Sequence, residues 1–165
     1  MKKIEPITIG IIIFTLVIFG GVIIAAFATQ NAPIPQYGNT DQSRPQLEIS
    51  ETSFDFGLMK VDDVKVQEIP LQNKGSKPLV ISDIYTSCDC TFAQLVINGR
   101  ESPKFAMNRD MKWRGEILPG ESAVLRVIYE PRIMPVKGVV KREVIFKTND
   151  PEKPLTNIRF QAVVE

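Results

Sequence analysis

The chain has 165 residues, enough for one domain of ordinary size plus accessories. Its 20 basic and 19 acidic residues nearly cancel, and setting aside Lys2, Lys3 and Glu5 leaves 18 against 18 beyond the first apolar segment. That balance lacks the strongly basic face a nucleic-acid partner demands, and the absence of histidine removes the commonest general base and the commonest metal ligand.

From Ile7 to Ala28 no residue is charged and most are Ile, Val, Phe, Leu or Ala. At 1.5 Å per residue such a stretch matches the roughly 30 Å hydrocarbon core, which predicts a transmembrane anchor over 7–28 and a membrane contact through it. Lys2 and Lys3 precede it and the next basic residue is Arg44. The positive-inside bias then places residues 1–6 in the cytoplasm and the C-terminal part outside, as a single-pass protein of the cell envelope. A cleaved signal peptide is the alternative, because Ala26-Phe27-Ala28 has the small-x-small form. Residues 29–46 hold Pro33, Pro35 and Pro45 among polar neighbours, a composition that predicts a flexible linker.

The remainder, 47–165, reads as strands and turns. Leu47-Glu48-Ile49 alternates, and so does Ser53 to Gly57, with Phe54 and Phe56 on one face. In Val64 to Gln72 the pair Val64 and Val66 has one parity and the pair Ile69 and Leu71 the other, which predicts a bulge near Gln67-Glu68. Asn73 to Pro78 is turn chemistry, with Gly75 permitting positive φ. Leu79-Val80-Ile81 is then a short apolar run suited to a buried strand. Phe92 to Ile97 follows, then Ser122 to Tyr129 with Ala123, Leu125, Val127 and Tyr129 on one side. Val139 to Thr148 points Val144 and Phe146 inward, Thr148 to Pro151 turns, and Ile158, Phe160, Ala162 and Val164 alternate with polar neighbours or Val163. About seven short strands punctuated by turns predict an all-β sandwich.

Asn73 to Thr91, TNDPEKP at Thr148–Pro154, the Leu118-Pro119-Gly120-Glu121 turn and the opening Phe54-Asp55-Phe56-Gly57 together resemble a bacterial family catalogued as domain of unknown function 1573. The resemblance covers roughly Leu47 to Glu165. It implies an immunoglobulin-like sandwich related to the domains named for ASPM, SPD-2 and Hydin, and implies a fold more firmly than an activity. In that family Gly usually separates the two cysteines, where this chain has Asp89.

Cys88 and Cys90, the only cysteines, are the sharpest chemical feature. On a regular strand their side chains would share a face about 6.6 Å apart, too far for a disulfide; a turn at Asp89 could bring them together in a very small, strained ring. Structural thiols packed at the sandwich edge are the expectation, with the Thr91 hydroxyl holding the bend. A partner-exchanging redox pair and a Cu(I) site, with Met107 or Met111 adding thioethers, stand as alternatives. Asn98 to Gly115 is the second feature. Phe105, Met107, Arg109, Met111 and Trp113 in one long connection suit a protein-binding loop, or Phe105 and Trp113 simply cover one end of the sandwich. Asp83, Asp89 and Glu68 are scattered carboxylates, no phosphate-cradling loop is present, and no nucleophile has a base beside it. The expectation is a membrane-anchored, non-enzymatic interaction or assembly module with a protein partner in the envelope and no cofactor or small-molecule substrate. The alternative is a thiol-redox or copper-handling protein.

Overall fold

The computed structural model describes residues 6–30 and 33–165, with helix side chains described at Ile7 and over 10–22. The chain divides into two units, Met1–Ile34 and Pro35–Glu165.

The first unit carries helix α1, Pro6–Gln30. The anchor expected over 7–28 is corrected here: among the described residues no helix is long and apolar enough to cross a membrane. The single-pass localisation and the membrane contact through this helix fall with it. Of the segment expected in the cytoplasm, residues 1–5 lie outside the described residues, as do the side chains of the Ala26-Phe27-Ala28 alternative.

The second unit is a sandwich of ten strands: β1 Leu47–Ile49, β2 Ser53–Met59, β3 Lys65–Asn73, β4 Leu79–Thr86, β5 Thr91–Ile97, β6 Arg100–Glu101, β7 Arg114–Ile117, β8 Ser122–Tyr129, β9 Gly138–Thr148 and β10 Leu155–Val164. They form two five-stranded sheets in the orders β1-β3-β8-β5-β6 and β2-β10-β9-β4-β7. Ten strands arise where about seven are expected because the opening segment is split between the sheets, and because the long connection after β5 contributes β6 and β7. The parities predicted for β8, β9 and β10 hold: Ala123, Leu125, Val127, Tyr129, Val144, Phe146, Ile158, Phe160, Ala162 and Val164 are all buried. Phe54 and Phe56 pack against this core, Phe54 stacking on Phe160 at 5.4 Å and Phe56 on Tyr129 at 6.4 Å between ring centres.

No bulge forms near Gln67. β3 pairs with β8 without a shift from Lys65 to Gln72, and Val64 and Val66 are simply exposed on the outer face, where a lone aliphatic residue is ordinary. The bulge of this region lies in β4, whose register against β9 shifts between Ser82 and Tyr85. Asp83 sits in it with φ of 50°, a conformation that Asp tolerates better than most residues.

The motif residues act as buried polar anchors for backbone. Asn149 accepts the Val80 N–H at 2.8 Å and donates to Pro78 O at 3.2 Å. Asp150 accepts the N–H groups of Leu47 at 2.8 Å and Glu152 at 2.9 Å, and Arg44 approaches Asp150 at 3.8 Å. The end of the expected linker is thus held to the sandwich, with Lys74 N–H and Ser76 N–H donating to Gln46 O and Arg44 O. Gly75 serves this contact rather than a positive φ: a Cβ there would lie 2.3 Å from Arg44 O.

Candidate functional site

β4 leaves its sheet after Thr86, and residues 87–90 turn the chain into β5 of the opposite sheet. Cys88 and Cys90 are joined by a disulfide, with their Cα atoms 5.3 Å apart. The expectation of free structural thiols is corrected by this bond. It set the bridge aside as a strained small ring, whereas the turn at Asp89 brings the two residues into the range a disulfide requires. The bend is held by a residue the sequence did not single out. The Thr86 hydroxyl lies 2.8 Å from Cys88 O and 3.0 Å from Thr91 O. Thr91 contributes its backbone N–H to Cys88 O at 3.2 Å, and its hydroxyl rests 3.4 Å from Cys88 Sγ. Ser87 N–H donates to Glu143 O at 3.0 Å, Glu143 N–H to Ser87 Oγ at 2.9 Å, and Glu130 N–H to Cys90 O at 2.9 Å, so the corner is tied to β9 and to the end of β8.

This geometry limits the chemistry. With the sulfurs bonded to each other there is no thiolate pair to take Cu(I), and among the described residues no group of three His, Cys, Asp or Glu is placed to hold a metal ion. Both cysteines are buried, Cys90 completely. Closing so short a loop constrains the unfolded chain little, by about 1.6 kcal/mol in the chain-entropy account. Cys88→Ala with Cys90→Ala should therefore lower the unfolding free energy by only about 1–2 kcal/mol, read from urea titrations. A loss of the size of a core deletion would show that the disulfide organises more than its own corner.

The long connection runs directly beside this corner. Phe105 and Ala93 exchange backbone hydrogen bonds at 2.9 and 2.8 Å, and Thr86 N–H donates to Ala106 O at 3.0 Å, which fastens the loop to β5 and to the end of β4. The Phe105 ring is buried and meets Trp113 edge to face at 5.0 Å. The half-buried indole covers Gly115, where a Cβ would come within 2.6 Å of it. These two aromatics are thus given to packing. Met107 and Met111 stand outside, 50% and 72% exposed.

Arg109 is held by a pair of residues on β4 that no spacing advertises. Its guanidinium lies 3.8 Å from the centre of the Tyr85 ring and 3.7 Å from Asp83 Oδ2, a cation–π contact joined to an ion pair. The Asp83 carboxylate is buried and also faces Lys147 Nζ at 2.9 Å, although neither of its oxygens receives an aligned hydrogen bond. Such a pair adds little stability, since desolvation offsets most of the attraction; its effect is to set where the loop lies. The structure therefore brings Cys88, Cys90 and Thr91 next to the 98–115 loop, turns Phe105 and Trp113 inward, and leaves Met107, Arg109 and Met111 on the surface.

No curated protein matches the chain. Among solved structures, a protein of unknown function from Porphyromonas gingivalis W83 is similar, with 25% identity and a TM-score of 0.57 over 75% of this chain and 49% of its own length; the chain spans about half of that protein. The ASH/PapD-like domain of human CEP192 (PapD-like domain 7) is 11% identical with a TM-score of 0.51, covering 82% of this chain and 95% of that domain, a likeness of fold alone. The family model described as HYDIN/CFA65/VesB-like, Ig-like domain matches residues 45–163. That supports the Hydin-type immunoglobulin-like part of the resemblance drawn above and does not confirm the name domain of unknown function 1573. With 119 of 165 residues matched, 45 through 163, the chain belongs to the HYDIN/CFA65/VesB-like family of Ig-like domains.

Proposed function

We propose that the Ig-like domain is a non-catalytic protein-interaction module whose contact surface is the outer side of the 106–111 loop, with Met107, Arg109 and Met111 meeting the partner. One observation carries the reading: two exposed methionines sit on a loop whose ends are fastened by the buried Phe105 and the half-buried Trp113. Unbranched, polarisable Met side chains adapt to a partner surface, and Met and Arg are enriched at interfaces. A fastened loop also loses less entropy on binding than a free one. The family and the fold supply the general setting of an interaction domain.

Photo-cross-linking tests the proposal. A benzophenone amino acid at position 111 should yield a discrete partner adduct, and the same group at exposed Glu48 should not. Met107→Glu, at a half-exposed position with no ion pair, should suppress the adduct while leaving the unfolding free energy within about 0.5 kcal/mol of the parent, as expected for a surface substitution. Equal adducts at both positions would remove the loop from the account.

A second reading, thiol–disulfide exchange with a partner at Cys88 and Cys90, draws on the disulfide itself. Burial of both sulfurs weighs against it, because exchange requires a thiolate to reach one of them. Alkylation across a glutathione series separates the two readings: exchange predicts rapid, reversible labelling of the folded chain.

A further inference from the structure

Strand β9 is paired on both sides over only part of its length. Toward β10 it is paired from Gly138 to Lys147. Toward β4 the pairing runs from Thr148 to Val144 and ends with Glu143, whose N–H and C=O both face Ser87. Backbone groups two residues apart on a strand face the same side. Val139 and Lys141 therefore also direct their N–H and C=O away from β10, into the place β4 vacates when it turns at the disulfide corner. Among the described residues, Val139 N–H, Val139 C=O and Lys141 N–H have no partner there, and Lys141 C=O accepts only the Arg142 guanidinium at 2.9 Å. One of the two outermost strands of the same sheet is treated differently: the Lys65 ammonium caps the Phe56 and Leu58 carbonyls of β2, a common way to protect an edge.

The surroundings of this open edge have a definite chemistry. Residues 131–142 contain Arg132, Lys137, Lys141 and Arg142 and no acidic residue, and Glu143 at the end of the edge is paired with Arg159 at 3.1 Å. Glu130 pairs with Arg132 at 3.4 Å. Arg142 Nε and the Tyr129 hydroxyl are buried without a hydrogen-bond partner, a state that native interiors avoid and that an incoming acceptor relieves. Burial raises the pKa of the Tyr129 hydroxyl, with the charge of Arg142 acting in the opposite direction. On the outer face Val139 is 68% exposed and stands in register with Val163 and, one strand further, Leu58, both also exposed.

We propose that the open edge of β9, Gly138 to Arg142, is a strand-addition site for an extended acidic segment of a partner protein. The added strand bonds the Val139 N–H and C=O and the Lys141 N–H. It places apolar side chains beside Val139 and a carboxylate across from Arg142, where Nε awaits an acceptor. Main-chain hydrogen bonds supply affinity in this mode and the alternate side chains supply selectivity. The site is separate from the 106–111 loop, which lies on the other side of β4.

The test uses the full chain and two short synthetic peptides, one alternating valine with glutamate and one alternating valine with lysine. By fluorescence anisotropy the glutamate peptide should bind saturably and at least about tenfold tighter than the lysine peptide, with the difference shrinking as salt rises. Amide exchange should slow at Val139 and Lys141. Val139→Pro, which deletes an open-side N–H and no bond to β10, should abolish binding. Arg142→Gln should erase the preference for glutamate, and Met107→Asp with Met111→Asp should change neither. Absence of binding, equal affinity for the two peptides, or protection confined to other amides overturns the proposal. Protection of Val139 and Lys141 that grows with protein concentration in the absence of peptide also overturns it, by showing that a second copy occupies the edge.

Discussion

Asn73→Ala is expected to lower the unfolding free energy by about 3 kcal/mol or more, a large share of the whole for a single domain. Asn73 is fully buried. Its Oδ1 accepts the N–H groups of Gly75 at 3.0 Å and Gln46 at 3.3 Å, and its Nδ2 donates to Lys77 O at 2.8 Å and Ile117 O at 2.9 Å. One side chain thereby serves four backbone groups at the junction of β3, β4, β7 and the segment entering β1. Truncation leaves the Ile117 carbonyl without this partner in a buried place and the other three groups without it in part-buried ones; a fully buried orphan costs about 1–3 kcal/mol, and the part-buried ones add less each. Asn73→Asp should be nearly as damaging, since it retains both acceptor contacts but turns the two donations into repulsion between a carboxylate and carbonyl oxygens. Urea unfolding of the parent and the two variants measures this. A loss under about 1 kcal/mol for the alanine variant would mean that the junction re-forms its bonds by itself.

The second large effect falls on the loop. Phe105→Ala should cost about 3–5 kcal/mol, the usual range for deleting a buried ring, because Phe105 is 3% exposed within the core cluster. It should also be visible without unfolding. Trp113, the only tryptophan, loses the ring that it meets at 5.0 Å, so its fluorescence should move to the red in the native state while far-ultraviolet dichroism stays that of a β-sandwich. An unchanged emission maximum would show that the Phe105 ring does not set the surroundings of the indole.

Much of the sandwich is legible in the sequence because alternation is a direct imprint of a sheet with one buried face. β8 and β10 could be read residue by residue for that reason. β3 was misread for the same reason: Val64 and Val66 are apolar by type but exposed, and period-two arithmetic has no means of separating an outer-face valine from a bulge. The expected span of α1 rested on the length and composition of an uncharged run, and among the described residues no helix meets the length and apolarity that crossing requires. In the candidate site, the nearness of corner and loop was out of reach, since Thr86 to Ala106 and Asp83 to Arg109 are contacts fixed by where two sheets exchange a chain. The disulfide was ranked below free thiols because its geometry depends on a turn at Asp89, and a Cys-Asp-Cys triplet does not by itself decide whether the backbone there is extended or bent. The positive φ of Asp83 left no sequence signal either.

The division of the opening segment between sheets has a mechanical meaning. β1 runs antiparallel to β3, while β2 runs parallel to β10 through Ser53–Arg159, Phe54–Phe160, Asp55–Gln161, Leu58–Val163 and Met59–Val164. Tension applied ahead of β1 and behind β10 first strips the three residues of β1. It then drags β2 and β10 in opposite directions along their common axis. Parallel strands pulled this way load their hydrogen bonds together, as a lap joint does, instead of opening them one at a time like a zip. The bulge between Gln161 and Val163 interrupts that joint and marks where it yields. A domain built so resists stretching along the chain better than its modest size suggests, whatever it is fastened to.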